Sequence, residues 1–280
     1  PIYLSSKGSL EPVLIDPKAA KVRGVAKLVK KEARRETGLF LLEGPQGFRE
    51  ALERPKLILE AFATEEALAR HSEMFAKAKA SRIEVQLVSE QVLAALSDTN
   101  TPQGVVAVCH QFDVSLEDVI ATKPKLVALL SQIRDPGNAG TVLRAADAAG
   151  ADAVIFTAGS VDIYNTKVVR STTGSMFHLP FVVDVEINET VDALKAAGIQ
   201  VLAADASGDS LPDLASDGSL NNPTAWMFGN EAWGFEPEIL KLADRVVAVP
   251  IYGAAESLNL ATAASVCLYS SAFQQNSATS

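Results

Sequence analysis

Three short polar stretches in the C-terminal half of the chain carry the side chains best suited to chemistry. They are residues 134–141 together with Arg144 (the first segment), residues 228–231 (the second segment) and residues 249–259 (the third segment). Each follows or interrupts an apolar run that predicts a buried strand. Polar side chains and glycines at the ends of buried strands are how an α/β protein builds a site. We therefore expect one pocket assembled from three loops.

The glycines of the first segment also raise the question of a dinucleotide site. Gly137 and Gly140 are spaced Gly-x-x-Gly, whereas the dinucleotide fingerprint is Gly-x-Gly-x-x-Gly. Asp152 is not at the offset that a ribose-binding acid would need. A nucleotide-binding α/β enzyme of another kind therefore stays open only as a weak alternative.

The elements around these segments alternate between helix and strand, which predicts an α/β fold. Helices are predicted from near Phe48, over residues 64–79 and over residues 141–149, with Ser89 as the N-cap of another. Strands are predicted over residues 153–156 and 226–228. A length of 280 residues is typical of about two domains. Residues 125–130 form a run apolar enough for a parallel strand buried on both faces. A polar stretch precedes that run. We predict an N-terminal domain over residues 1–112, a linker over 113–124 and a C-terminal domain over 125–280.

Composition excludes several classes of protein. Hydrophobic residues make up 48% and charged residues 21%, which is typical of a globular chain. No apolar run reaches the roughly 18 residues that span a bilayer, and the N-terminus lacks the pattern of a signal peptide. We expect a cytoplasmic protein. Cys109 and Cys267 lie in apolar stretches and are expected to be buried thiols, and the three histidines form no metal motif.

The net charge of −9 argues against a nucleic-acid partner, but the charges are unevenly distributed. Residues 1–121 are nearly neutral, so most of the excess negative charge lies in the C-terminal half. Residues 17–37 predict a single basic amphipathic helix. This basic segment is either a solvated face or a phosphate-binding patch. The RNA-binding candidates on it are Lys21, Arg23, Lys27, Lys30, Lys31 and Arg34.

In their order and internal spacing, the three segments resemble motifs one, two and three of the SpoU (TrmH-like) family. These proteins are RNA ribose 2′-O-methyltransferases of the SPOUT superfamily. The likeness extends from Leu126 to about Ser270. The N-terminal half resembles, more weakly, the ribosomal-protein-L30-like (L30e-like) substrate-binding domain often attached to this family. Residues 41–44 and 98–104 carry that likeness, and Trp233 is bulkier than the family pattern leads us to expect.

The resemblance implies a fold and a cofactor that spacing cannot reveal. The C-terminal SPOUT domain would form a deep trefoil knot, one of the rare exceptions to unknotted chains. S-adenosylmethionine would bind in the knot, held largely by backbone groups. Family members are homodimers that pair through the knotted domain, and we expect the same here. The cofactor-binding positions implied are Gly229, Val249, Leu258, Phe228 and Ile251.

The resemblance also implies the active-site residues. Arg144 corresponds to an arginine placed at the reacting hydroxyl. Arginine holds its proton too tightly to be a good base, so we expect Arg144 to grip the adjacent phosphate and the hydroxyl. Glu231 is predicted to orient Arg144, and Asn138 and Asn259 to fix loop geometry and substrate. Ser257 matches the remaining active-site position.

Each of these residues has a structural alternative. Asn138 and Asn259 are plausible helix N-caps, Glu231 a partner of a helix dipole, and Arg144 a surface residue. The joint occurrence of the three motifs, in order, favours the site.

We expect an S-adenosylmethionine-dependent methyltransferase acting on a ribose of RNA, with 23S ribosomal RNA preferred. Transfer RNA as the substrate, or a knotted RNA-binding protein without activity, remain alternatives.

Overall fold

The computed structural model describes residues 2–4 and 10–277, with side chains from residue 13 to residue 277. The strands in chain order are β1 (Ile2–Leu4), β2 (Leu10–Pro12), β3 (Leu39–Glu43), β4 (Ile58–Ala63), β5 (Val85–Leu87), β6 (Val105–His110), β7 (Leu126–Leu130), β8 (Ala153–Thr157), β9 (Phe181–Val185), β10 (Gln200–Ser210), β11 (Thr224–Phe228) and β12 (Arg245–Ala248). The α-helices are α1 (Ala20–Ala26), α2 (Lys31–Thr37), α3 (Pro45–Ala51), α4 (Glu65–Arg70), α5 (Ser72–Ala80), α6 (Glu90–Leu96), α7 (Leu116–Ala121), α8 (Pro136–Ala148), α9 (Thr166–Ser171), α10 (Ile187–Ala196), α11 (Leu211–Ser216), α12 (Pro237–Leu240) and α13 (Leu260–Ser277).

Packing divides the chain into two compact units, each of the predicted α/β type. The first unit comprises Pro1–Phe112 and Tyr164–Phe177, and the second comprises Asp113–Ile163 and His178–Ser280. The domain bounds predicted above stay a prediction. Residues 113–124 contain α7, which the sequence analysis missed, because Ser115 and Asp118 form a capping box there. Polar residues that suggested a linker are thus the start of a helix.

The first unit is built on a four-stranded sheet in the order β3-β6-β4-β5. Strand β6 runs antiparallel to β3 and β4, and β4 runs parallel to β5. Strands β1 and β2 pair separately. Apolar side chains of α1 and α6, among them Val22 and Val92, pack against strand side chains such as Leu41 and Phe62 on one face of the sheet. This core fixes the basic segment against the sheet.

The single helix predicted over residues 17–37 is wrong. The chain forms α1, a 3-10 turn over Lys27–Val29 and then α2, with extended backbone at Lys30 (φ −88°, ψ 136°). Arg34 stabilises this break. Its side chain is 2% exposed and donates hydrogen bonds to the carbonyl oxygens of Leu28 (2.8 Å) and Val29 (2.7 Å). A buried side chain thus satisfies carbonyls that a continuous helix would satisfy with backbone amides.

Smaller corrections concern helix ends. The helix predicted over residues 64–79 is two helices, α4 and α5, which meet at His71. Helix α3 begins at Pro45 rather than near Phe48, because proline is well suited to the first helical position. The predicted N-cap Ser89 is confirmed, since its hydroxyl accepts a hydrogen bond from the Val92 amide.

Helix α9 packs against β3 in the first unit through a polar network. Arg170 donates to Glu43 (Nη1–Oε2, 3.1 Å), whose carboxylate also accepts from the Asp98 amide (3.0 Å). Thr166 donates to Asp98 at 2.6 Å. Because the Glu43 side chain is buried, it needs this ion pair and hydrogen bond. The network therefore anchors residues 164–177 to the first unit.

The second unit is built on a six-stranded parallel sheet in the order β12-β10-β11-β7-β8-β9. Strands β7, β8 and β11 are buried along their whole length, which confirms strands covered on both faces. Helices α8 and α13 pack against each other. The fully buried Trp226 of β11 donates to the Ser271 hydroxyl of α13 (2.8 Å).

Both cysteines are buried, as predicted. Burial raises the pKa of the Cys109 thiol well above its usual range and that of Cys267 to about 12. Within residues 2–4 and 10–277, no group of histidine, cysteine and acidic side chains could hold a metal ion. In the same residues, no helix combines the length and apolar character needed to cross a bilayer.

Candidate active site

The three polar segments lie at the carboxyl edge of the parallel sheet in the second unit. The first follows β7, the second follows β11 and the third follows β12. Strands β7 and β11 are direct neighbours, whereas β10 lies between β11 and β12. In a parallel sheet the carboxyl ends of all strands meet at one edge, where ligands bind. The fold thus places the three segments at one edge of the sheet, and side-chain hydrogen bonds link them to one another.

Glu231 connects the second segment to the first. Its carboxylate oxygens accept hydrogen bonds from the backbone amides of Arg134 (3.2 Å) and Asp135 (3.0 Å). No hydrogen bond joins Glu231 to Arg144 among the described residues, so the predicted orienting role stays a prediction, and it would act through the backbone. The amides precede α8, so the carboxylate fixes the entry to that helix.

Two asparagines connect the first and third segments. The Asn259 side-chain amide donates to the Asn138 carbonyl oxygen (Nδ2–Oδ1, 3.0 Å). Asn259 also caps α13, since its Oδ1 accepts from the amides of Ala261 (2.9 Å) and Thr262 (3.3 Å). The capping alternative thus holds for Asn259, together with its bridging contact. It does not hold for Asn138, because Asp135 caps α8 by accepting from the Asn138 amide (2.7 Å).

Helix α8 begins at Pro136, five residues earlier than predicted, so most of the first segment is helical. Arg144 therefore projects from the same helix that Glu231 and Asp135 fix at its start. Exposed Gly137 and Thr141 precede it on the same helical face. Within the part of the chain that the structure describes, Arg144 makes no hydrogen bond or ion pair. Its charge is available to a ligand.

Asn230 is a structural residue of the site to which sequence reasoning assigned no role. Its side chain donates to the Gln132 carbonyl oxygen (2.7 Å) and accepts from the Ala232 amide (2.8 Å). Its backbone exchanges two 2.9 Å hydrogen bonds with Gly234. Its position inside the Gly-Asn-Glu motif, directly after a buried strand, was the available signal. Residues 230–234 thus form a closed loop tied to the end of β7.

The candidate cofactor residues differ in exposure. Phe228 and Gly229 are buried, and Phe228 packs against Trp226 in the core. A Cβ on Gly229 would lie 2.6 Å from the Gly234 backbone, so the closed loop requires glycine there. Val249 is half-buried, whereas Ile251 and Leu258 expose apolar side chains. Phe228 therefore packs beneath the carboxyl edge of the sheet, and the third segment provides the apolar side chains that are exposed at that edge.

The third segment is open along its length. Residues 251–259, Ser257 among them, are all exposed, and the next residue, Leu260, is half-buried. No described residue forms a hydrogen bond with the backbone or side chains of residues 250–258. Donors and acceptors in this stretch are therefore free to engage a ligand or another chain.

Five of the six RNA-binding candidates in the basic segment of the first unit are exposed, and one is buried. Arg23, Lys27, Lys30 and Lys31 are exposed, as a phosphate-binding role requires. Lys21 is also exposed but pairs with Glu60 (2.7 Å) and lies over the Phe62 ring. Arg34 is unsuited to that role, since its guanidinium is buried and bound to backbone.

A parallel-sheet unit whose carboxyl edge joins three polar segments, preceded by a smaller unit with a basic face, defines a class of RNA-modifying enzyme. The sequence model of the "SpoU rRNA Methylase family" matches residues 125–269. The model described as "RNA 2′-O ribose methyltransferase substrate binding" matches residues 41–114. The chain belongs to the SpoU rRNA methylase family.

Relatives and solved structures agree with this assignment. The chain is 37% identical over 253 residues to the 23S rRNA (guanosine(2553)-2′-O)-methyltransferase RlmP of Bacillus subtilis, covering 90% of this chain and 96% of the relative. It is 35% identical to the 23S rRNA (uridine(2479)-2′-O)-methyltransferase of Streptomyces viridochromogenes, covering 69% of each. The crystal structure of the SpoU methyltransferase AviRb from Streptomyces viridochromogenes in complex with the cofactor AdoMet has a TM-score of 0.80 at 29% identity. That match covers 92% of this chain and all of the other.

Proposed function

We propose that this chain transfers a methyl group from S-adenosylmethionine to the 2′-hydroxyl of one ribose in 23S ribosomal RNA. The observation that carries the proposal is the hydrogen-bonded connection of the three segments, which fixes the helix bearing the exposed Arg144. Two similar relatives are named as 23S rRNA 2′-O-methyltransferases. A ribosomal substrate also favours the cytoplasm as the location.

The residues of the third segment suit S-adenosylmethionine. The exposed side chains of Ile251 and Leu258 offer apolar surface to a purine ring, and the uncommitted backbone of residues 250–258 offers donors and acceptors to its edge. Val249 and Gly229 would complete the cofactor site, with Phe228 packed beneath them. When bound, the cofactor supplies an electrophilic methyl group on a sulfonium.

Arg144 would bind the phosphate next to the reacting ribose and hold the 2′-hydroxyl. A guanidinium suits this role because its planar fork matches two phosphate oxygens at once. It stays protonated and so does not act as a base. The hydroxyl proton would leave to a phosphate oxygen or to water. Positioning of the hydroxyl accounts for part of the lowered barrier.

The other site residues divide into two proposed roles. Glu231 would act as a positioning residue, because it holds the amides at the entry to α8. Asn138 and Asn259 would keep the first and third segments in register through their 3.0 Å hydrogen bond. Ser257, which is exposed, would contact the RNA.

The exposed lysines and Arg23 of the basic segment would hold RNA phosphates. We drop Arg34 from the predicted set and keep Lys21, Arg23, Lys27, Lys30 and Lys31. This assignment agrees with the match of residues 41–114 of the same unit to a substrate-binding model. The acidic second unit would then contribute the chemistry and little of the electrostatic attraction for RNA.

A homodimer through the second unit remains our proposal for the assembly. Helix α13 exposes Val266 and Phe273, the latter 66% exposed, and Tyr252 of the third segment is 90% exposed. Such apolar surface suits burial against a second copy. The knot implied by the resemblance likewise stays a prediction.

The test is transfer of labelled methyl from S-adenosylmethionine to purified 23S rRNA, to assembled large ribosomal subunits and to transfer RNA, with the product mapped. We expect one 2′-O-methyl mark on 23S rRNA, as free RNA or within the subunit. A mark on transfer RNA alone would replace the proposed substrate. Cofactor binding, measured by calorimetry, with no transfer to any of the three would contradict the proposal. Absence of cofactor binding would favour an RNA-binding protein without activity.

A further inference from the structure

The two tryptophans of the chain have opposite environments. Trp226 is fully buried in β11, whereas Trp233 is 47% exposed in the closed loop that follows Glu231. Indole is among the largest apolar surfaces a side chain offers, so leaving half of it in water forgoes burial. The exposed ring lies two residues from Glu231 and three from Asn230, both of which fix the candidate site. An exposed indole at this position is suited to binding a ligand.

Trp233 is stacked on one side by an arginine of the same site. The Arg134 guanidinium carbon lies 5.0 Å from the centre of a Trp233 ring, a cation–π contact. The Arg134 amide is in turn held by the Glu231 carboxylate. The pair thus joins the first and second segments, as the backbone contacts of Glu231 do. It also places a positive charge beside an exposed aromatic face.

The backbone that carries Trp233 is constrained. Asn230 and Gly234 exchange two 2.9 Å backbone hydrogen bonds across the loop, and the Asn230 side chain accepts from Ala232, the residue directly before Trp233. Gly234, directly after it, adopts φ +67°, which favours glycine. A side chain on so short a closed loop loses little conformational entropy when a ligand binds.

The indole also forms a wall of a small cavity at the carboxyl edge of the sheet. Ser131, Gln132, Thr157 and Phe235 line the same cavity. Ser131 and Gln132 follow β7 directly and Thr157 is the last residue of β8, so the cavity lies at the same edge of the sheet as the site. The acidic residues Glu186 and Glu236 also line it. A flat aromatic wall beside hydroxyl and amide groups suits a nucleobase, which stacks through its faces and forms hydrogen bonds at its edges.

We infer that Trp233 and Arg134 form a stacking platform for an unpaired base of the RNA substrate. The inference rests on the proposed function and adds a base contact to it. RNA bases that are splayed out of a helix are recognised by stacking on aromatic rings and guanidinium planes. Because every base has a π-face, the platform favours single-stranded RNA over duplex and contributes affinity with little sequence preference.

Intrinsic fluorescence tests the platform directly. Trp226→Phe leaves Trp233 as the sole tryptophan, and the variant is checked for an unchanged unfolding midpoint. We expect iodide to quench Trp233 in the free protein. A mixed-sequence 12-nucleotide single-stranded RNA should quench it further and protect it from iodide. The same phosphate backbone with abasic sites should bind, as anisotropy of a labelled strand reports, without that quenching.

Substitutions at Trp233 provide the second measurement. Trp233→Ala is expected to weaken binding of the 12-nucleotide RNA by roughly 10- to 100-fold, the range for loss of one stacked base. Trp233→Phe should restore most of the affinity, whereas Trp233→Leu, which is apolar but cannot stack, should not. Arg134→Gln should show a smaller loss. All four should keep the unfolding midpoint and the affinity for S-adenosylmethionine.

Four outcomes would overturn the inference while leaving the proposed function intact. They are quenching by S-adenosylmethionine alone, equal quenching by the abasic strand, a Trp233 that iodide cannot reach in the free protein, and RNA binding without any change in the fluorescence of Trp233. If the protein neither binds RNA nor transfers methyl, the proposed function fails together with the platform.

Discussion

The basic segment of the first unit and the three segments of the second were both singled out by their side chains, yet the structure treats them differently. In the basic segment, one of the six candidate residues, Arg34, turns inward and binds backbone. In the second unit, the charged candidates Arg144 and Glu231 stay exposed. A run of like charges predicts that most of its residues are exposed, but not that each one is. Polar residues that follow buried strands are placed at the edge of the sheet by the strands themselves. Position relative to a strand is the better guide to a site.

The largest effect is expected from Arg144, an exposed charge of the second unit for which the described residues provide no ion pair. Arg144→Ala should lower kcat/KM for methyl transfer by at least about 10³-fold, near the upper end for loss of one electrostatic contact to the reacting group. Affinity for S-adenosylmethionine and the unfolding midpoint should not change, since the side chain is exposed and makes no hydrogen bond or ion pair with a described residue. Arg144→Lys keeps the charge but loses the fork and should recover only part of the rate. Near-normal turnover of Arg144→Ala would remove this residue from the mechanism.

The next effect separates a buried arginine from its exposed neighbour. Arg34→Met should lower the free energy of unfolding by about 2–4 kcal/mol, because it leaves the carbonyls of Leu28 and Val29 without their donor. Arg35→Met, one residue along and exposed, should change it by less than about 0.5 kcal/mol. Urea denaturation measures both. Equal stability of the two variants would mean that Arg34 belongs with the surface charges after all.

Two glycines of the second unit test whether a residue without a side chain is required by the fold of the loop or by the bound ligand. A Cβ on Gly229 would meet the Gly234 backbone at 2.6 Å, while one on Gly253 would meet nothing within 4 Å. Gly229→Ala should therefore destabilise the protein by about 1–3 kcal/mol and weaken cofactor binding. Gly253→Ala should leave the unfolding midpoint unchanged.

Calorimetry with S-adenosylmethionine completes that comparison. If Gly253→Ala binds the cofactor normally, open space at this glycine has no part in cofactor recognition. If affinity falls while stability holds, the backbone of the third segment approaches the ligand closely at Gly253. A Gly229→Ala variant with unchanged stability would contradict the closed loop.

Much of this fold follows from the sequence, and the exceptions have physical causes. Strands β7, β8 and β11 were predicted because uninterrupted apolar runs leave few other structures. The start of α8 was missed because proline followed by glycine is typical of a turn. Asp135 caps the helix there and Pro136 fills its first position.

The contacts within the site were harder to predict than its members. Asn138 and Asn259 are 121 positions apart, and no local pattern reveals which of two asparagines caps a helix and which accepts from the other. Glu231 was predicted to orient Arg144, whereas the hydrogen bonds of its carboxylate in the structure are to the backbone amides of Arg134 and Asp135. Backbone amides carry no sequence signal, so a carboxylate that binds them is easily assigned to a distant arginine. The burial of Arg34 likewise depends on two backbone carbonyls.

A smaller effect is expected from the exposed part of the basic segment. The triple variant Lys27→Glu, Lys30→Glu and Lys31→Glu should weaken RNA binding by roughly 10-fold at moderate salt. It should also flatten the dependence of log affinity on log salt by about 2 units, near 0.7 to 0.9 for each phosphate that is no longer neutralised. The control carries the same charge change at exposed Lys56, Lys77 and Lys79 of the same unit. Equal losses in both variants would mean that net charge, rather than this surface, attracts RNA.

The smallest effect concerns Arg245 of the second unit, a half-buried counterpart of Arg34 whose acidic partners are exposed. Its guanidinium donates to Asp217 (3.0 Å) and Asp209 (3.2 Å). Hydrogen bonds from the Ser219 side chain and backbone, and then from Arg245, lower the pKa of Asp217 to about 2. A carboxylate with a depressed pKa contributes stability above its ordinary pKa near 4, and this contribution is lost as pH falls through about 2.

Thermal unfolding between pH 5 and pH 2 should therefore show a shallower decline for Asp217→Asn than for the parent protein, with a slightly lower midpoint for the variant at pH 7 and midpoints that converge near pH 2. The difference should be small, because ion pairs at exposed sites are screened by solvent and salt. Parallel curves of midpoint against pH for the two proteins would mean that the hydrogen bonds to the Asp217 carboxylate do not stabilise the folded protein. A midpoint shift at pH 7 as large as that of Arg34→Met would contradict the comparison itself, since it would make a half-buried arginine pair as important to folding as a buried one.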